Sequence, residues 1–180
     1  MDTPIKSLTE HGNTIEIYYD HDAESPRMAQ ENLGTILYRG GRYILGDKKA
    51  SDIEMRLKAE NPNFVTLPVY AYVHGGVALN TTGFSCPWDS GQSGIICVHR
   101  DRILQWFGRK KLTKKLRENV KEILKNEIEE FSKYINGEVY GYIVKNRNGQ
   151  VLESCWGFYD LEDCLNEAKG AACVNSLQVA

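Results

Sequence analysis

Residues 112–137 read LTKKLRENVKEILKNEIEEFSKYING. Leu112, Leu116, Val120, Ile123, Leu124, Phe131 and Ile135 recur at helical spacing and fall on one face. Thr113 is placed to cap the start and Gly137 to stop the end. The stretch is therefore an amphipathic helix of about six turns, and its apolar stripe needs a surface to lie on. The flanking sequence supplies one.

Upstream, FVTLPVYAYV (64–73) is a long β-prone run, and Pro68 marks an edge or a bulge in it. His74-Gly75-Gly76 turns the chain, VALNTTGF (77–84) returns, and GIICVH (94–99) is a short buried strand. RDRILQWFG (100–108) gives one or two helical turns closed by Gly108. Downstream, EVYGYIV (138–144) and VLESCWGF (151–158) flank an Asn148-Gly149 turn. DLEDCLNEAKGAACV (160–174) reads as a helix capped by Asp160, and residues 175–180 as a frayed tail. Nearer the start, TIEIYY (14–19) alternates as a strand, and Pro26 opens a short helical turn. TILYRGGRYILGD (35–47) suggests a hairpin about Gly40-Gly41. Ser51 and Glu54 form a capping box for DIEMRLKAE (52–60). The expectation is one α+β domain over residues 1–180: a mixed, mainly antiparallel sheet of about six to eight strands built from hairpins, packed against one long amphipathic helix with short helices at its edges. The runs beginning VYAYV at Val69 and VYGYI at Val139 echo each other, each ending in Ser-Cys with a Trp close by. Two similar hairpins side by side in one sheet would explain the echo.

Apolar residues make up 42% of the 180, enough for a core, and the net charge of −2 gives no bulk attraction to polyanions. Arg100–Lys133 nevertheless holds 11 basic and 6 acidic residues, so any polyanion site is expected to be local. The opening MDTPIKSLTEHG has no signal-peptide layout, and no run approaches the length of a membrane span. With five cysteines and no C-x-x-C pair, reduced thiols in a cytoplasm are expected, with no metal and no cofactor.

Four features can carry chemistry. In GFSCPWDSGQSG (83–94), Cys86 is a candidate thiol nucleophile, with His74 or His99 as its base and Asp89 to orient the imidazole. The alternative is a structural thiol with Trp88 packed beneath the loop. Trp88, Asp89, Ser90, Gly91 and Gln92 form a candidate binding loop, and the backbone N–H groups of Asp89–Gly94 can make an anion nest for a nucleotide or small ligand. A plain turn is the alternative. On the long helix, Lys110, Lys114, Arg117, Lys121 and Lys125 fall within about 80° of arc, a row suited to nucleic acid or an acidic protein surface. A solvated face with pairs such as Lys125–Glu129 is the alternative. Tyr70, Tyr72, Tyr140 and Tyr142 form pairs on single strand faces, either as a stacking surface or as rings packed under a helix. No catalytic set stands out from these residues, so a binding role is favoured over an enzyme.

The chain resembles a family of small proteins encoded by phages and integrated mobile elements. The shared pattern is Glu24–Arg27, Asn32–Thr35, Tyr38, Arg42–Tyr43, Leu45–Asp47, then Leu-Pro with a tyrosine-rich strand, FSCPWDSGQ-x-G, a basic helix, VYGYI and a late SCWGF, in order over roughly residues 20–160. One departure is Val73-His74-Gly75-Gly76, where the family pattern has Asp-His-Ser-Gly. The resemblance implies an accessory protein that binds and inhibits a host defence effector, of anti-CRISPR or anti-restriction type. Its partner would be a host defence protein such as a CRISPR nuclease, met in the host cytoplasm.

Overall fold

The computed structural model describes residues 3–177. In chain order these form β1 (Lys6–Glu10), β2 (Asn13–Tyr19), α1 (Pro26–Ala29), β3 (Thr35–Tyr38), β4 (Lys48–Lys49), α2 (Asp52–Glu60), β5 (Phe64–Val73), β6 (Val77–Asn80), β7 (Ser90–His99), α3 (Arg100–Trp106), α4 (Lys114–Ile135), β8 (Tyr140–Lys145), β9 (Val151–Phe158) and α5 (Leu161–Leu177). The fold is α+β with mostly antiparallel pairing. The strands form two sheets rather than one, and the chain divides into two compact units. One unit joins the residues before Ser25 to those after Asn136; the other is Ser25–Asn136.

The larger unit holds a five-stranded sheet in the order β4-β3-β7-β5-β6. The α4 stripe lies on one face of it. Val120, Leu124 and Ile128 are fully buried and Phe131 nearly so, packed with Ile36, Val65, Val69, Leu79, Ile96 and Val98. Burying four such side chains stabilises the unit by roughly 6–12 kcal/mol before entropy is counted. Thr113 caps α4 by accepting from the Leu116 N–H, and Gly137 ends it at φ +76°. The Ser132 hydroxyl accepts from the Leu79 N–H of edge strand β6 at 2.8 Å. On the opposite face, Met55 of α2 packs on Leu37, Ile95 and Cys97. Pro68 sits where β5 is paired only with β7, one residue before the bulge at Val69/Tyr70, so its missing N–H breaks no second ladder.

The smaller unit is an antiparallel sheet in the order β1-β2-β8-β9. Its inner face (Ile15, Ile17, Tyr142, Val144) meets Cys164, Ala168, Ala171 and Ala172 of α5. Those small side chains let the helix come close to the strands. Asp160 caps α5 through Glu162 N–H and Asp163 N–H. On the outer face, Tyr18, Gly141 and Trp156 are cross-strand neighbours. Trp156 covers Gly141, where a Cβ would lie 2.1 Å from the indole.

Three local expectations are corrected, and one further strand is present. RYIL (42–45) forms no strand; β3 instead pairs in parallel with Lys48–Lys49. Lys6–Glu10 is an edge strand that the polar sequence concealed. The echoing hairpins β5–β6 and β8–β9 lie in different sheets rather than side by side in one, and the second Ser-Cys-Trp runs within strand β9. α5 continues through 175–177, and 178–180, the rest of the expected frayed tail, lie outside the described residues.

Candidate functional site

The segment 81–89 joins β6 to β7 and is held at both ends by its own polar groups. Asn80 accepts from the N–H groups of Thr82 (3.2 Å) and Gly83 (2.7 Å), while its amide donates to the Gly83 carbonyl (2.9 Å). At the far end the Ser90 hydroxyl donates to the Cys86 carbonyl, and the Val73 N–H donates to the Asp89 carbonyl at 2.9 Å. Tyr72 lies against Phe84 (centroids 5.6 Å) and stacks on His74 (6.1 Å). Trp88 projects from this pinned frame with 92% of its surface exposed. The expectation that Trp88 packs beneath the loop is therefore overturned: Phe84 covers the sheet there, and the indole points to water.

Asp89 Oδ2 lies 3.2 Å from His74 Nδ1 and 3.7 Å from Cys86 Sγ. The cluster runs thiol, carboxylate, imidazole. Thiol catalysis needs the imidazole in the middle, where it can take the thiol proton. Here the thiol instead donates to a carboxylate. His99 is at the other end of ten-residue β7, roughly 30 Å along the strand. There it caps α3 by accepting from Asp101 N–H and stands beside the Asp101 carboxylate.

Ser90, Gly91 and Gln92 belong to β7, opposite Tyr72, Ala71 and Tyr70. An extended ladder points successive N–H groups to opposite sides, so they do not converge as a nest. The Gln92 side chain donates to the Gly94 carbonyl at 3.2 Å, and its own carbonyl receives Arg39. Gln92 thus has a structural place.

The cationic row is interrupted. Lys110 precedes α4 rather than lying on it. Arg117 donates to the Pro62 and Phe64 carbonyls, both at 3.0 Å. Lys121 pairs with Glu118 (3.2 Å) and Lys125 with Glu129 (3.6 Å), leaving Lys114 exposed. The tyrosines divide. Tyr70, Tyr72 and Tyr140 are half-buried, and Tyr142 is 1% exposed. Burial, then the hydrogen bond to Glu153, pushes the Tyr142 phenol well above its ordinary value. Among the described residues, no group of three or more His, Cys, Asp or Glu is placed to hold a metal ion.

Arg27 has a role that its local sequence does not announce. Its guanidinium donates to Asp47 (2.7 and 2.9 Å), Asn32 (2.7 Å), Glu127 (2.8 Å) and the Gly34 carbonyl (2.8 Å), and its side chain is 7% exposed. Burial alone would lower its pKa, but the bonds to Asp47 and Glu127 raise it above the ordinary value. Glu127 also accepts from the N–H groups of Leu33 and Gly34, and Asp47 from that of Ile36. The Ser-Pro-Arg, Asn-Leu-Gly and Gly-Asp pieces of the upstream block therefore meet in one ionic knot. One signal was present: Glu127 stands seven residues after Val120, on the apolar stripe of α4, where an unpaired acid would not be tolerated.

Comparison with protein-family models, curated proteins and solved structures finds no match to this chain.

Proposed function

We propose that this chain is a phage- or mobile-element-encoded accessory protein that binds a host defence effector, of CRISPR-nuclease or restriction type, and blocks it by protein contact. The observation that carries the reading is Trp88, 92% exposed on a loop whose backbone is fixed at both ends. An exposed indole forgoes roughly 1.5–3 kcal/mol of burial; tryptophan is enriched among interface hot spots, and a pre-ordered backbone lowers the cost of binding through it. His74 and Asp89 beside it supply a polar rim. The choice of a defence effector as the partner rests on the resemblance of the sequence pattern to phage- and mobile-element-encoded proteins.

The test is phage plating on paired bacterial strains with and without a defence system. Expression of the protein should raise plating only where the system is present, and Trp88→Ala should abolish the gain while leaving the protein level unchanged. Equal plating with and without the protein across CRISPR and restriction strains would sink the proposal.

A further inference from the structure

A cleft of about 500 Å³ opens in the larger unit, where the segment after α3 runs into α4. Phe107 and Leu116 form its floor, both half-buried and packed against the core beneath α4. Arg109, Lys111 and Lys115 stand exposed around it, with Asn119 further along the helix. Among the described residues these three cations have no carboxylate partner, unlike Lys121 and Lys125.

The local charge is one-sided. Residues 109–117 hold six cations and no acid. The first turn of α4 has no acidic residue, although the positive pole of a 22-residue helix favours acids there. Arg117 turns away to the Pro62 and Phe64 carbonyls. Like charges thus collect at a positive pole, an arrangement that favours an anion there.

The floor decides which anion. A cleft of this size lies within the usual range of about 300–1,000 Å³ for small-molecule sites. An aromatic ring and a leucine offer a face for a planar base, and the Asn119 amide carries the paired donor and acceptor that suit a base edge. We propose that this cleft binds a nucleoside phosphate, with the base on Phe107 and Leu116 and the phosphates on Arg109, Lys111 and Lys115. The same chemistry is presented by a free nucleotide and by one unit of a single strand. The site is separate from Trp88, so it stands or falls independently of the proposed protein contact.

The test is titration of the full chain with ATP, with a short single-stranded oligothymidylate and with tripolyphosphate, each over a range of salt. Three phosphate contacts give a log–log salt slope of about −2 for the strand. R109Q/K111Q/K115Q should weaken binding at least tenfold and flatten that slope. K121Q/K125Q should change affinity less than twofold, which excludes a bulk charge effect. Phe107→Leu should cost roughly tenfold through lost stacking. Tighter binding of the oligonucleotide than of ATP assigns the site to a strand, and the reverse order to a free nucleotide. The proposal is overturned if neither nucleotide probe binds, if tripolyphosphate binds as well as ATP with no effect of Phe107→Leu, or if the triple variant binds like the parent.

Discussion

Arg27 sets a strict demand, because its charge is enclosed and its guanidinium serves four acceptors at once. Arg27→Met leaves Asp47 and Glu127 facing each other's surroundings without a cation. The loss should be about 3–5 kcal/mol, read as a fall in the urea midpoint. Arg27→Lys should recover only part of it, since a point charge cannot serve four partners at once. Replacing Arg27, Asp47 and Glu127 together with apolar residues should be milder than Arg27→Met alone. A change below about 1 kcal/mol for Arg27→Met would refute the structural role. The thiols make a second residue-scale prediction. Cys97 and Cys164 are buried, and burial pushes the Cys164 thiol up to about 12. Iodoacetamide near neutral pH should therefore label exposed Cys155 first and reach Cys97 and Cys164 only after unfolding. Equal labelling of all five thiols in the folded protein would contradict this burial pattern.

Among the elements, the outer face of β2 and β8 couples stability to pH at both extremes. Glu16 is held below its ordinary 4.5, first by the hydrogen bond from Lys145 and then by that from Tyr18. Its contribution is present above 4.5 and is lost as pH falls through the lower folded value. Tyr18 is raised from 10.0 to about 12, first by its hydrogen bond to Glu16. That contribution is complete below 10.0 and is lost as pH rises through about 12. Glu16→Gln should flatten both limbs of the stability–pH curve, measured by chemical unfolding; an unchanged acid limb would show that the pairing is not coupled to folding. In β7, a Cβ on Gly94 would lie 2.0 Å from the Leu37 carbonyl oxygen, so Gly94→Ala should cost about 3 kcal/mol and open the β3–β7 pairing. Hydrogen exchange along β3 would report it.

The same elements show where sequence was informative. α4 was legible from Thr113 to Gly137 because helical spacing and caps are local signals. SGQSG was illegible as strand because its composition is that of a turn, and pairing with Tyr70–Tyr72 overrides composition. RYIL misled in the opposite direction: β-prone residues form no strand without a partner, and Ile44 stays 74% exposed. The ionic knot was hidden because Arg27 and Glu127 lie 100 residues apart. The exposure of Trp88 was hidden because Cys-Pro-Trp fits a packed corner and an outward-facing tip equally well.

At the scale of the molecule, each unit buries its own apolar cluster. Ile15, Ile17, Tyr142 and Val144 close around α5 in one; the α4 stripe and the Met55 cluster serve the other. Val144→Ala should therefore lower hydrogen-exchange protection in β2, β8 and α5 by about 2 kcal/mol, with amides in Ser25–Asn136 unchanged. Equal loss throughout would mean that the two cores open as one.

The order of these units along the chain also bears on biosynthesis. The strands β1 and β2 are made before Ser25–Asn136, yet β8, which pairs with β2, and β9, which pairs with β8, come only after it. On the ribosome, Ser25–Asn136 can fold as a finished loop of chain while the first hairpin waits with an unsatisfied edge. Synthesis of β8 and β9 then closes that sheet, so the interval before β8 emerges, rather than the folding of the long helix, is when the nascent chain is most open to aggregation.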